Sequence, residues 1–401
     1  MKRFLPTLLA LLLLSLCLPA SAQKWTYDFI VPDNGNFASA IAAANNRANK
    51  QRRFRIFVRA SNYRLGQSKV TLTAPNTSII GEQRQGTQIE TCPQTEGLDA
   101  GWTLLLRGAD STYIQDVELW SNYKNDTRLW SNKAVTLREQ NCKGNVMKNV
   151  FLRGTGNTYY TSGSTAYLED CKVMGTTDFV CGGGTIYFDH CDITLANRGD
   201  GSRQFVVCAP ATEQGRNYGF VFNSCYLDGP SHQSRHYLLG RPWQNAPRAA
   251  YINCQMNLQP AAEGWAQGVA KPALLGEFES TDAQFQLIDQ SQRAPLSTKI
   301  SAEEAEKYTV AHVFGPWEPQ AKSEQVPPPV LHLNGRELSW KDDPEAGCYV
   351  VCRDRKIVAF TTQPHYTIPA GTREGSCYTV RCANQMGGLG IHSEKMVYPQ
   401  R

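Results

Sequence analysis

From about residue 50 to residue 275 the apolar residues fall in short runs rich in Val, Ile, Leu, Phe and Tyr, broken by frequent Gly and Asn. Runs of that length and content predict strands, not helices. Several restart alike: Asn149-Val150-Phe151-Leu152, Cys171-Lys172-Val173-Met174, Cys191-Asp192-Ile193-Thr194, Cys225-Tyr226-Leu227-Asp228 and Cys254-Gln255-Met256-Asn257. The first three begin 22 and 20 residues apart and the later ones 34 and 29, as expected of a coil of constant cross-section that carries loops of varying length. The pattern predicts an all-β protein built on a parallel β-helix. Equivalent positions on successive rungs would lie about 4.7 to 4.9 Å apart, stacking the cysteines that open these runs in a buried column. Helical periodicity is confined to about Phe37 to Ala48. Ser301 followed by Glu304 predicts a capping box that opens a terminal helix running to about Val310.

The ends of the chain read differently. Residues 1–22 carry Lys2 and Arg3, an apolar run from Leu8 to Leu18 and a small-x-small site, Ala20-Ser21-Ala22, which together predict a signal peptide and a secreted protein. The apolar run is too short to span a bilayer and no other stretch matches it, so no integral membrane segment is expected in the mature chain. Pro316, Pro319 and Pro327-Pro328-Pro329 interrupt a polar stretch, which places a linker at 319–329 between a large domain at 23–318 and a small one at 330–401. The small domain alternates at Leu338-Ser339-Trp340, Tyr349-Val350-Val351-Cys352 and Tyr378-Thr379-Val380-Arg381-Cys382, predicting a β-sandwich. Its four cysteines, Cys348, Cys352, Cys377 and Cys382, are expected to staple a modest core in an oxidising compartment, with three pairings open.

Charge narrows the partners. There are 41 Lys and Arg against 36 Asp and Glu, with no concentrated basic run, which argues against nucleic acid and leaves room for a local basic groove that takes an acidic polysaccharide. No Cys-x-x-Cys pair occurs, and no metal site is expected.

The candidate chemistry sits in Gly175-Thr176-Thr177-Asp178-Phe179-Val180-Cys181-Gly182 and Leu239-Gly240-Arg241-Pro242-Trp243. A carboxylate beside Phe179 and Val180 needs a cation or hydrogen-bond donors to stay charged, and Arg241 can supply a fixed fork. Trp243 offers a flat face of the kind that sugar rings stack on. Together these stretches resemble the pectin methylesterase family, in which a GTVDFIFG-like stretch holds the nucleophilic aspartate and LGRPW holds a supporting arginine and tryptophan. The resemblance continues in order through Ala134-Val135-Thr136-Leu137, Tyr218-Gly219-Phe220-Val221-Phe222, Gly264-Trp265 and residues 302–309, covering roughly 25 to 320. It implies a right-handed parallel β-helix with an external groove, and a monomer that hydrolyses galacturonate methyl esters of pectin or a related acidic polysaccharide without metal or organic cofactor. It further implies Asp178 as nucleophile, Arg241 orienting it, and Trp243, Phe179 and Tyr160 lining the sugar site. The last domain resembles a fibronectin type III module.

The chain departs from the family where a second aspartate, within a QDTLY-like stretch, serves as acid and base. The matching residues are Gly156-Asn157-Thr158-Tyr159-Tyr160, and the family glutamine before Ala-Val is replaced by Lys133. An amide cannot donate and recover a proton, and general acid/base help is typically worth about 10² to 10⁴ in rate. The expectation is therefore an esterase with an altered acid/base site, in which Lys133 keeps Asp178 ionised or supplies the proton and Asn157 donates to an oxyanion. The alternative is a catalytically inactive pectin-binding homologue. No Gly-x-Ser-x-Gly elbow occurs, and a glycosidase would need two flanking carboxylates. Asp189-His190 and Gly199-Asp200-Gly201 are further polar residues expected near the groove, in turns.

Overall fold

The computed structural model describes residues 23–125, 133–197 and 205–398. The expected signal peptide and Gly199-Asp200-Gly201 lie outside the described residues. Three parallel sheets, of eleven, seven and nine strands, wind into a right-handed parallel β-helix, as the sequence repeats predict. One rung runs through Val135–Gln140 in the seven-stranded sheet, Lys143–Lys148 in the eleven-stranded sheet and Phe151–Arg153 in the nine-stranded sheet. The next rung repeats it with Tyr159–Ser162, Thr165–Glu169 and Lys172–Gly175. Register holds side chains in columns: Met147 pairs with Leu168, Leu168 with Phe188, Phe188 with Phe222, and Phe222 with Tyr251. The last three rings stack inside at 4.7 and 4.4 Å, each pair tilted by only 9°.

The corner between the eleven- and nine-stranded sheets explains the repeating runs. On seven successive rungs one residue takes a left-handed backbone, namely Asp116, Asn149, Asp170, His190, Ser224, Asn253 and Glu279, with φ between +43° and +58°. Among non-glycine residues Asn, Asp and His tolerate this region best, which accounts for most of the choices. The following residue turns inward and is fully buried: Val117, Val150, Cys171, Cys191, Cys225, Cys254 and Ser280. Only small side chains fit this column. The thiols of Cys171, Cys191, Cys225 and Cys254 donate to the carbonyls of Met147, Leu168, Phe188 and Phe222 one rung back, at 3.3–3.5 Å, and all four are free. Asp189 and His190 belong to this corner and not to the groove, since Asp189 accepts from Tyr167 Oη at 2.7 Å and Asn223 Nδ2 at 2.9 Å.

The helix Phe37–Asn46 covers one end of the coil, with Asn36 capping it through Ser39 N and Phe37, Ala40, Ile41 and Ala44 buried at helical spacing. At the other end the capping box of Ser301 and Glu304 is formed, but the helix stops at Ala305 and does not reach Val310. A 3-10 turn follows at Glu306–Tyr308, and Thr309 leaves helical geometry to cap a second short helix, Val310–Phe314, through His312 N.

The C-terminal residues form a three-stranded and a four-stranded antiparallel sheet around Leu338, Trp340, Tyr349, Val351, Tyr378 and Val380. The strand Cys348–Arg353 is buried on both faces, because Cys348, Val350 and Cys352 pack against Phe57, Ile80 and Tyr113 on the outside of the eleven-stranded sheet. Tyr27 Oη donates to Gly387 O at 2.7 Å and Gln115 Nε2 to Leu389 O at 3.0 Å across this junction. The proline-rich stretch is laid down on the sheets: Val326 is buried in their core and Asn384 Nδ2 donates to Glu324 O at 2.8 Å. The expected disulfide staples are absent, for Cys348, Cys352, Cys377 and Cys382 are all free. Cys348 and Cys352 face the β-helix whereas Cys382 faces the opposite, inner side, so strand alternation separates them.

Candidate active site

Asp178 lies at the start of the strand Thr177–Gly182, on the outer face of the seven-stranded sheet. Its backbone is left-handed, with φ +50°, and the ladder shifts register between Thr177 and Val180. Asn157 has φ +57° and occupies the same place one rung earlier, since Tyr159 pairs with Val180. The two rungs on the other side bring in Arg241, because Val180 pairs with Cys208 and Cys208 with Gly240. Two steps of the ladder thus close a separation of 63 residues.

Arg241 grips Asp178 with both arms of its fork: Nε donates to Oδ1 at 2.8 Å and Nη2 donates to Oδ2. The carboxylate side chain is 9% exposed and the guanidinium 37%. These hydrogen bonds raise the arginine's pKa further. A carboxylate held this way is fixed in orientation while one face remains open. The motif glycines make room for it. A side chain at Gly240 would meet Cys208 Sγ at 2.6 Å and the Trp265 ring at 3.0 Å. One at Gly175 would strike Phe179 Cβ at 2.2 Å.

The other expected residues separate into groups. Tyr160 and Trp243 face each other at the groove, with ring centroids 6.4 Å apart. Lys133 is exposed, bridges to Gly156 on the neighbouring rung, and contributes to the field at Cys181. Asn157 is 7% exposed, and its Nδ2 donates to Cys181 Sγ at 3.0 Å and reaches Asp178 O at 3.5 Å. Phe179 does not line the groove. It is fully buried in the β-helix core, because the left-handed turn at Asp178 breaks the alternation and sends both Phe179 and Val180 inward.

Residues to which the sequence assigned no role complete the site. Cys181 pairs with Tyr160 and is buried beside Asn157 and Asp178, and burial pushes its thiol up to about 12. Arg138 pairs with Tyr160 from the rung below, and its guanidinium carbon sits 5.1 Å from that ring and 5.7 Å from the Trp102 ring. It is 8% exposed and bonded to Asp99, whose carboxyl it holds below the usual range. Period-two alternation from Leu137 would have placed Arg138 outward, in line with Tyr160. Behind Arg241, Trp265 Nε1 donates to Glu277 Oε1 at 3.2 Å, and Arg293 clasps the same buried carboxylate at 2.8 and 2.9 Å. Trp265 also bridges to Gly240, so this buried pair braces the segment that presents Arg241. Among the described residues no group of three or more His, Cys, Asp or Glu could hold a metal ion, and no helix is long and apolar enough to cross a membrane.

The model of the pectinesterase family matches residues 30–315. A pectinesterase/pectinesterase inhibitor of Arabidopsis thaliana is 23% identical over 289 residues, covering 69% of this chain and 48% of that protein. The chain spans between 28% and 57% of the length of the curated relatives it matches first. Among solved structures, the pectin methylesterase from carrot superposes with a TM-score of 0.63 at 20% identity, covering 76% of this chain and 98% of that one. The pectin methylesterase from Erwinia chrysanthemi gives 0.59 at 21%, covering 74% and 99%. At these identities the structures establish the shared fold.

Proposed function

The chain belongs to the pectinesterase family, and from that premise we propose that it is a secreted, monomeric carbohydrate esterase that hydrolyses methyl esters of galacturonate in pectin with an altered acid/base site. The observation that carries this reading is the forked clasp of Arg241 on Asp178 beneath the open Tyr160–Trp243 edge. Asp178 attacks the ester carbonyl and the oxygen becomes an oxyanion. Collapse expels methoxide, which takes a proton and leaves an acyl-enzyme that water then hydrolyses. Arg241 fixes the nucleophile's orientation through its fork. Asn157 has amide hydrogens for the oxyanion, and Lys133 is the residue assigned to deliver the proton and, once neutral, to take one from the attacking water. Trp243 and Tyr160 receive the sugar ring. In this reading residues 1–22 are the signal peptide and the C-terminal sheets a fibronectin type III-like module.

Methanol release from highly methylated pectin tests it. Wild type releases methanol, Asp178→Ala abolishes release, and Lys133→Gln lowers it at least tenfold. Pectin binding without release from any pectic ester would favour the second reading, an inactive pectin-binding homologue, for which the amide at position 157 is the specific observation.

A further inference from the structure

A second cleft opens where the C-terminal sheets meet the β-helix, at the corner between the eleven- and nine-stranded sheets and away from the sheet that carries Asp178. Its volume is about 850 Å³, within the range of a ligand site. The charges on its wall divide in a telling way. The acids are engaged by the chain's own donors: Glu82 accepts from Ala60 N at 2.9 Å, Asp354 from Cys377 N at 2.9 Å, and Asp116 from Gln115 Nε2 at 2.9 Å and from Asn149 Nδ2. Of the cations, Arg381 is engaged too, with Nη2 3.8 Å from Asp116 Oδ2, but the others are not. Arg355 and Lys395 are exposed and engage no carboxylate or carbonyl among the described residues, and Arg84 makes only a 3.5 Å contact with Asp170 O. Arg381 anchors the floor through Glu82 O at 3.0 Å and Gly390 O at 2.7 Å.

The wall carries four cations, Arg84, Arg355, Arg381 and Lys395, against three acids, Glu82, Asp116 and Asp354, and the two exposed cations, Arg355 and Lys395, have no carboxylate partner among the described residues. Beside them stand two apolar side chains, Ile357 and Ile391, the latter 64% exposed, the polar end of Gln83, and the Thr379–His392 pair, hydrogen-bonded at 2.9 Å. Cations contributed by three different segments of the chain, with apolar side chains able to cover the C–H face of a ring and neutral hydrogen-bonding groups beside them, suit a chain of charged sugars.

We propose that this cleft is a second, non-catalytic binding site for an acidic oligosaccharide, whose uronate carboxylates are received by Arg84, Arg355 and Lys395. Choosing uronates over other acidic sugars rests on the pectic reading above. Such a site tethers the protein to its polymer and raises the effective concentration of esters at the groove. It also assigns a role to the close docking of the C-terminal sheets, since neither body alone forms both walls.

Isothermal titration of the full chain with unesterified hexagalacturonate tests the proposal. Wild type binds two equivalents. Arg355→Glu/Lys395→Glu weakens one event about tenfold or more while sparing the other, and Trp243→Ala does the converse. Because Arg355 and Lys395 are exposed and uncommitted, the double variant keeps the wild-type melting temperature and the wild-type rate on short methylated oligomers. A single equivalent in wild type, or two undiminished equivalents in the double variant, overturns the site. A sulfated oligosaccharide of equal charge that binds the cleft as tightly overturns the uronate assignment. The catalytic reading fails separately, by absence of methanol release, and leaves the cleft event measurable.

Discussion

Glu139 is a carboxyl group inside the β-helix, fully buried between rungs, with Asn145 Nδ2 3.4 Å from Oε2 and no partner for Oε1. Burial pushes its pKa up to about 8, and the neighbouring Asn145 and Tyr159 offset only part of that. Unfolded, the group titrates near 4.3. Between these values the unfolded chain releases a proton that the folded chain keeps, so stability is full below about pH 4.5 and falls as pH rises toward 8, with a slope of up to about 1.4 kcal/mol per pH unit. The window spans more than three units, which sets an upper limit of about 5 kcal/mol; water entering around the ionised group would reduce this to a few kcal/mol. Glu139→Gln keeps the shape and removes the proton equilibrium. Melting temperatures of the two proteins from pH 4.5 to 8.5 provide the assay, and their difference cancels all other titrations. The glutamine variant should match wild type at pH 4.5 and melt about 5 °C or more higher at pH 8. Parallel curves would refute the argument, as they would mean that Glu139 is ionised or solvated in the folded protein.

Other expectations follow from the site and the junction. Arg241→Ala strips a buried carboxylate of its counterion, costing at most about 3 kcal/mol after allowing for the arginine's partial exposure, and Arg241→Lys keeps the charge but loses the fork; both should cut methanol release by about 10² or more. Phe179→Ala should lower stability by about 3–5 kcal/mol as a core deletion, whereas Trp243→Ala should leave the melting temperature unchanged and weaken pectin binding; equal effects of the two on stability would contradict their assigned places. Cys191→Leu, in the small-residue column, should cost about 1–3 kcal/mol by overpacking, with Cys191→Ala as the milder control. Alkylation of the unfolded, unreduced protein followed by mass spectrometry should label Cys348, Cys352, Cys377 and Cys382, and a disulfide linking Cys382 to Cys348 or Cys352 would disprove the face separation.

The β-helix was legible because successive rungs from Asp116 onward repeat one local event, a left-handed corner followed by a small buried residue, and Cys171, Cys191, Cys225 and Cys254 mark that event in the sequence. Asp178 and Arg241 were legible as motifs, and their meeting followed from the coil. Phe179 was misplaced because the resemblance set it in the sugar site beside Asp178, whereas the backbone turn there sends it into the core. Arg138 and Glu139 show the opposite failing: they obey alternation, one outward beneath Tyr160 and one inward beside Tyr159, but charged residues in an apolar run invite the assumption that both face solvent. The absent disulfides had no signal, since which sheet face is covered depends on a docking partner 300 residues earlier in the chain.

The steric demand at the site also explains how its chemistry could change without the fold registering it. Asn157 and Asp178 occupy equivalent corner positions on adjacent rungs, and both have φ near +50°. What the backbone requires there is a side chain tolerant of the left-handed region, and Asn and Asp satisfy that requirement about equally. Proton transfer distinguishes them sharply. A carboxylate at 157 would stand one rung from the Asp178 carboxylate, and their repulsion would raise the proton affinity of the pair, as an acid/base group needs. The amide removes that repulsion, and its Nδ2 contact with the Cys181 thiol leaves it well seated. The fold therefore exerts no selection against Asn157, and in the proposed mechanism the proton falls to Lys133.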